Sequence, residues 1–316
     1  MAKLPPLPSR IVFMGTPPFA ARSLKALLDE GAKPVAVFTR PDAIAGRGHK
    51  TIEPPVKAMA REAGIEVVQP KTLKTPEVQS CLKDFAPRVI VVVAYGQILP
   101  QAVLDMPPLG CVNVHASLLP RHRGASPIAH AIWAGDKETG VTTMKMEAGL
   151  DTGPTYLQEK TLMPPMATTG SLTELLSEMG ARLLLETLRG LEAGSLRPVP
   201  QDDSLATQAP RLAEAQGRLD FTKPAAELER QVRAFEPWPG TFFTFKGETI
   251  KVRDAALGPA APTGVAAGEV VSSEPFVVAC GCGGTILFAS LQREGKRLMP
   301  ASEVLRGFHI QPGSRL

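Results

Sequence analysis

The chain has 316 residues, enough for two domains that each bury a core. Hydrophobic residues make up 44% and charged residues 21%, a balance that is ordinary for a soluble globular protein. The net charge of +4 tolerates an anionic partner, but it is less basic than a dedicated nucleic-acid binder would be. Met1 to Pro8 has no apolar stretch of the secretory kind, and no apolar run approaches membrane-spanning length. Along the chain, Arg10–Met14 reads as a strand ending at Gly15, followed by a helical stretch to about Glu30. Val35–Thr39 is a second strand. Helices are expected near Val56–Ala63 and Pro76–Phe85. Arg88–Ala94 is apolar throughout, as in a strand buried on both faces of a parallel sheet, and Cys111–His115 is another strand. Strand–helix alternation of this kind argues an α/β, Rossmann-like domain with a parallel-rich sheet. Ligands bind such sheets beyond the carboxyl ends of the strands, where Tyr95-Gly96 and His115 fall.

Farther on, Ser171–Glu174 has the pattern of a capping box opening a long helix, with Leu172, Leu175, Leu176, Met179 and Leu183 as its stripe and Gly194 as its stop. Residues 196–210 lack periodicity and read as a linker between a domain of residues 1–195 and one of 211–316. The second domain opens with a short helix carrying Leu228, Val232 and Phe235. Five short strands follow, Thr241–Phe245, Thr249–Arg253, Gly268–Ser272, Phe276–Cys280 and Thr285–Leu291, which suggest a small OB-like β-barrel. Cys280-Gly281-Cys282 has the wrong spacing for a zinc ribbon, so no metal site is expected, and the four cysteines are taken as reduced thiols of a cytosolic protein.

The chemistry concentrates on Asn113, His115 and Asp151. Asn113 and His115 lie two apart in a strand, so their side chains share one face while Val112 and Val114 take the other. An amide donor beside an imidazole can hold a developing oxyanion and move a proton. A carboxylate such as Asp151 would fix the imidazole's tautomer and stabilise its protonated form. That set suits attack by an amine on a carbonyl-like carbon. Taken alone, an Asn-x-His at a strand end is more often a hydrogen-bonded structural pair.

The surrounding motifs extend the set. Ser117-Leu118-Leu119-Pro120 follows the strand, and Asp151 lies within Gly149-Leu150-Asp151-Thr152-Gly153. Together they resemble the folate-dependent formyltransferases. Gly15-Thr16-Pro17-Pro18-Phe19-Ala20 resembles that family's opening turn, with Pro18 where Asp is common. Arg40 to His49 resembles its mobile loop, with Ala43 where Arg is common. Val92 to Leu99 resembles the segment that lines the pterin pocket. Arg233-Ala234-Phe235-Glu236-Pro237-Trp238-Pro239-Gly240 is similar to the motif that opens the second domain in the branch acting on tRNA. The resemblance covers nearly the whole chain. It implies Asn113, His115 and Asp151 as the catalytic trio. It also implies 10-formyltetrahydrofolate as co-substrate, held by Ala94, Tyr95, Gly96, Gln97 and Ile98 with Ser117, Leu118, Leu119 and Pro120. The acceptor it implies is initiator methionyl-tRNA, and the enzyme is expected to be monomeric, cytoplasmic and free of membrane. Candidate tRNA contacts are Arg47, Arg121, Arg123, Arg211, Arg230 and Arg233.

Several features have plainer readings. Arg121 and Arg123 could be solvated surface, and Arg230 and Arg233 could pair with Glu227 and Glu229. Residues 207–316 hold 13 Lys and Arg against 11 Asp and Glu, a balance of +2, so that domain is no strong electropositive funnel. Gln208-Ala209-Pro210-Arg211 stands where the family usually has Tyr-Ala-Pro-Lys, and Glu214 stands where a basic residue is frequent. Trp133 and Trp238 are expected as core anchors. Other outcomes stay open: formyl transfer to a small amine such as glycinamide ribonucleotide or an amino sugar nucleotide, hydrolysis of the formyl-folate, or a non-catalytic folate- or RNA-binding module.

Overall fold

The computed structural model describes residues 4–45 and 50–316. The chain packs as two units. One holds the described residues up to Pro127 together with Glu138–Thr161 and Thr173–Ala209; the other holds Ile128–Lys137, Leu162–Leu172 and Pro210–Leu316. Residues 196–209 therefore cluster with the first unit. Among the described residues no helix is long and apolar enough to cross a membrane.

The first unit starts with β1 (Ile11–Gly15), α1 (Pro18–Asp29) and β2 (Ala36–Phe38). Pro18 opens α1 at a position where its missing N–H costs nothing. A short antiparallel hairpin, β3 (Ala43–Ala45) and β4 (Lys50–Ile52), precedes α2 (Pro55–Glu62), β5 (Val67–Val68) and α3 (Pro76–Asp84). Then come β6 (Val89–Val93), α4 (Gln101–Leu104) and β7 (Cys111–His115). After α5 (Pro127–Ala134), β8 (Glu138–Lys145) and β9 (Thr155–Leu162) complete the sheet, and α6 (Thr169–Glu192) follows. The sheet order is β5-β2-β1-β6-β7-β8-β9. Pairing is parallel from β5 to β7, and β8 runs antiparallel to β7. Every residue of β1 and β6 is buried, as their unbroken apolar runs require.

Two differences from expectation have clear causes. Helix α6 begins at Thr169, earlier than the Ser171–Glu174 pattern indicates. The capping box is made one turn upstream: Ser171 N donates to Thr168 Oγ1 (3.2 Å) and Thr168 N donates to Ser171 Oγ (3.1 Å). Strand β8 escapes a hydrophobicity reading because it buries threonines. Thr143 Oγ1 lies 2.7 Å from Thr187 Oγ1 of α6, and Thr142 bonds the loop after β7, so the hydroxyls are satisfied inside.

The second unit contains α7 (Ala225–Ala234) and the strands β10 (Thr241–Phe245), β11 (Glu248–Leu257), β12 (Val270–Ser273), β13 (Phe276–Ala279), β14 (Thr285–Arg293) and β15 (Met299–Pro300), then α8 (Ala301–Gly307). These strands form an antiparallel half-barrel of order β10-β11-β14-β13-β12, with β15 on β14. Phe243, Phe276 and Phe288 meet in its core, covered by Leu228 and Val232 from α7. Trp133 is half-buried at the margin of the core and packs edge-on to the buried Phe235 at 4.9 Å. Trp238 is no core anchor: it is 47% exposed, held out by the turn between Pro237 and Pro239.

Candidate functional site

The chain leaves β1 for β2 on one side and later enters β6 on the other, so the crevice of the sheet opens at the carboxyl ends of β1 and β6. Thr16 closes its floor, donating from Oγ1 to Tyr95 O at 3.2 Å. Beyond β6 the backbone turns left-handed at Ala94 (φ 45°) and Gly96 (φ 78°). Gln97 is tied back through Nε2 to Pro70 O at 2.8 Å, and Ile98 is left 77% exposed. Tyr95 is buried with no hydrogen-bond partner for its hydroxyl among the described residues, and that burial pushes the phenol's pKa up.

The next carboxyl end, that of β7, carries Asn113 and His115 on one face. Val112 and Val114 are buried on the other, beneath α6, where a Cβ on Gly180 would come 2.8 Å from Val114 Cγ1. Asn113 Nδ2 donates to Val92 O at 3.2 Å, while its buried Oδ1 has no partner among the described residues. His115 Nε2 lies 2.9 Å from His122 O, and because a carbonyl only accepts, Nε2 carries the hydrogen. His115 Nδ1 faces Asp151 Oδ2 at 3.7 Å, within ion-pair range but too long for a formed hydrogen bond. The two side chains are 7% and 15% exposed, so water screens this contact little.

Asp151 has φ of 52°, a left-handed conformation unusual for a non-glycine residue. Its flanking glycines make the turn possible. A Cβ on Gly149 would lie 2.2 Å from Thr152 Oγ1, and one on Gly153 would lie 1.9 Å from Lys145 O. Asp151 Oδ2 also accepts from Gly124 N at 2.8 Å. Gly124, at φ 128°, passes so close to Ala209 O that a Cβ would sit 2.5 Å away.

The loop Ser117–Pro120 is fixed from beneath. Ser117 Oγ donates to Arg121 O (2.7 Å), Thr142 Oγ1 donates to Ser117 O (2.7 Å), and Leu119 N donates to Thr142 Oγ1 (3.1 Å). Gln158 Nε2 donates to Leu119 O at 2.6 Å, and Leu118 packs beside Gly140. Thr142 and Gln158 have no signature in the sequence, since they act through the backbone of a distant loop.

The candidate tRNA contacts are scattered. Arg47 lies outside the described residues. Arg121 and Arg211 are exposed. Arg123 is buried, with Nη2 donating to Gln201 Oε1 (2.9 Å) and Asp203 Oδ1 (2.7 Å). Arg230 Nε donates to Trp133 O at 3.1 Å. Arg233 grips Glu229 through Nε (2.5 Å) and Nη2 (2.9 Å), and Ala167 O through Nη1 (3.0 Å). A cavity of about 880 Å³ in the first unit opens between the end of α4 and residues 145–149, at the amino end of β7. None of the residues expected to hold folate lines it.

Residues 9–188 match a family model described as "Formyl transferase", and residues 211–309 match "Formyl transferase, C-terminal domain". A methionyl-tRNA formyltransferase of Geobacter sulfurreducens is 46% identical over 309 residues, covering 97% of this chain and 96% of its own length. One of Myxococcus xanthus is 48% identical over 309 residues, covering 97% of each. Among solved structures, the N-formyltransferase of Helicobacter canadensis in complex with folinic acid and dTDP-3-aminofucose superposes with TM-score 0.65 at 16% identity, covering 90% of this chain and all of that one. The methionyl-tRNA formyltransferase of Clostridium thermocellum superposes with TM-score 0.55 at 17% identity, covering 79% of this chain and 93% of that one. At these identities the structural likeness speaks for the fold.

Proposed function

We propose that this chain, which belongs to the formyl transferase family and within it to the methionyl-tRNA formyltransferases, transfers the formyl group of 10-formyltetrahydrofolate to the free amine of methionine on initiator tRNA. The observation that carries this reading is the approach of Asp151 to His115 at the carboxyl end of β7, beside Asn113 on the same strand face, whose buried amide oxygen no group among the described residues satisfies. A buried acceptor without a partner costs about 1–3 kcal/mol, and a ligand N–H removes that cost. In this reading Asn113 Oδ1 accepts from the incoming amine and turns its lone pair toward the formyl carbon.

The amine nitrogen attacks the formyl carbon, and a C–N bond forms as the carbonyl π pair moves onto oxygen. The second Nδ2 hydrogen of Asn113 and a proton on His115 Nδ1 stabilise that oxyanion. Asp151 takes the proton the amine sheds, directly or through water. Collapse of the intermediate breaks the bond to N10, which takes up the proton that Asp151 received from the amine, so the products are the formamide and tetrahydrofolate and Asp151 is again a carboxylate. Asp151 is suited to this because its Oδ2 is already held by Gly124 N–H and faces the ring.

The folate would lie along Ala94–Ile98 and Ser117–Pro120. The left-handed backbone at Ala94 and Gly96 and the exposed Ile98 offer main-chain polar groups and an apolar side chain to a flat heterocycle. Arg121 and Arg211 are the exposed arginines suited to tRNA phosphates, whereas Arg123, Arg230 and Arg233 would act from within the fold. The enzyme is read as a cytosolic monomer, which sedimentation at its mass of 33.6 kDa would test. The test of function is an assay with labelled formyl-folate against charged initiator tRNA, glycinamide ribonucleotide, an amino sugar nucleotide and water. Label should appear on the charged tRNA. Preferential label on a small amine, or release of formate alone, would overturn the reading.

A further inference from the structure

We propose that Gln201 and Arg123 are positioning residues for formyl transfer, forming a brace that holds Asp151 and the carbonyl partner of His115 in register; this rests on the function proposed above. Asp151 is left-handed, a conformation that persists in a non-glycine residue only where its surroundings over-determine it. The restraint comes from one amide. Gln201 Nε2 donates to Asp151 O at 2.8 Å and to Gly153 O at 2.7 Å, so it grips the middle and the closing end of the turn. Its Oε1 accepts from Arg123 Nε (3.1 Å) and Nη2 (2.9 Å), which leaves no polar atom of the Gln201 side chain idle.

Arg123 stands between two working residues. His122, before it, supplies the carbonyl to which His115 Nε2 donates; Gly124, after it, supplies the N–H held by Asp151 Oδ2. The guanidinium therefore closes a ring: Asp151 carboxylate, Gly124 N–H, Arg123 side chain, Gln201 amide, Asp151 carbonyl. The backbone on either side is pinned as well. His122 N donates to Thr207 Oγ1 (2.8 Å), Arg123 N to Thr207 O (2.8 Å), and Ala209 N to Arg123 O (2.7 Å). Arg123 is only 5% exposed, and burying a charge merely to hold a loop gains little over apolar packing. A fixed fork that sets the direction of two catalytic contacts is a use that apolar packing cannot replace.

The test is a double-mutant cycle in the full chain, read by steady-state kinetics with charged initiator tRNA and formyl-folate. Gln201→Met keeps the volume and removes all four bonds. It should lower kcat about 10–100-fold, with both KM values within about threefold of wild type, because a misplaced Asp151 harms the reaction more than binding. In an Asp151→Asn background the same change should lower kcat less than about threefold, since Gln201 acts through that carboxylate. Gln201→Glu separates the two halves of the brace. It keeps an acceptor for Arg123 but turns a carboxylate oxygen toward both carbonyls, so it should lower kcat at least as much as Gln201→Met, with loss of thermal stability besides; circular dichroism at the assay temperature shows that both variants are folded when kcat is read. Wild-type kcat in Gln201→Glu, or full additivity of Gln201→Met with Asp151→Asn, would overturn the brace. If Asp151→Asn alone retains wild-type kcat, it is the assignment of formyl transfer to this cluster that fails, not the brace.

Discussion

The two units differ in what they leave unsatisfied, although both pair their buried charges. In the second unit, charged side chains find partners inside the fold: Arg233 on Glu229, Arg293 on Glu248, and Arg230 on the Trp133 carbonyl. In the first unit, three buried side-chain atoms lack any partner among the described residues: Ser23 Oγ in α1, and Tyr95 Oη and Asn113 Oδ1 at adjacent strand ends. A fold that satisfies itself almost everywhere and leaves bonds open at a sheet crevice marks where a ligand belongs. The second unit offers no such mark, so a grip on RNA there has to come from exposed charge and from the exposed Trp238.

The largest effect that would break this contrast is on catalysis. His115→Ala should lower the transfer rate about 100–1,000-fold, the usual cost of losing one oxyanion donor, with the folded state intact by circular dichroism. A loss below tenfold would remove His115 from the reaction. Next comes stability in the second unit. Arg233→Met strands Glu229, whose side chain is 11% exposed, and should cost about 3 kcal/mol in chemical denaturation. If instead stability holds and only tRNA affinity falls, Arg233 is an RNA contact and the second unit is less self-satisfied than its geometry implies.

A smaller effect sharpens the view of the grip. With a balance of only +2 across residues 207–316, few phosphates should be neutralised. A plot of log tRNA affinity against log salt should then have a slope of about −2, since each neutralised phosphate contributes about −0.9. A slope near −6 would point to a much larger electrostatic footprint. The smallest effect concerns the base of the β3–β4 hairpin. Hydrogen bonds from Lys57 (2.7 Å) and Gln69 (2.7 Å), aided by the nearby charges, hold the Asp42 carboxyl below its usual range. Its contribution is present above the ordinary aspartate pKa and is lost as pH falls through the lowered value. Lys57→Met should therefore lower stability slightly at pH 7, where that contribution is fully present, and flatten the pH dependence of stability below about pH 4.

Much of this arrangement is legible in the sequence because it rests on local pattern. Strand β7 can be read residue for residue, since apolar Val112 and Val114 alternate with Asn113 and His115. The Gly149–Gly153 turn is legible because only glycine fits where Thr152 and the Lys145 carbonyl approach. What stays hidden is long-range polar pairing. Nothing near Gln201 signals that it grips a turn 50 residues away, and Thr142 is hidden in a strand whose burial depends on hydroxyls bonding backward. Segment 196–210 reads as a linker because it lacks periodicity. Its order in the structure comes from single side chains and isolated bridges, Thr155 with Val199 and Arg123 with Gln208. The exposure of Trp238 is invisible for a similar reason: tryptophan signals burial, and a turn between two prolines overrides it.

The central claim is that the open bonds at β7 serve catalysis rather than folding, and Asn113→Ala tests it most directly. The substitution removes a buried unsatisfied oxygen together with one modest hydrogen bond to Val92 O. Unfolding free energy should therefore stay within about 1 kcal/mol of wild type or rise. Single-turnover transfer to charged initiator tRNA should fall about 100–1,000-fold, with formyl-folate affinity changed less than about threefold. A clear loss of stability with transfer reduced less than tenfold would mean that Asn113 belongs to the fold and that the site lies elsewhere.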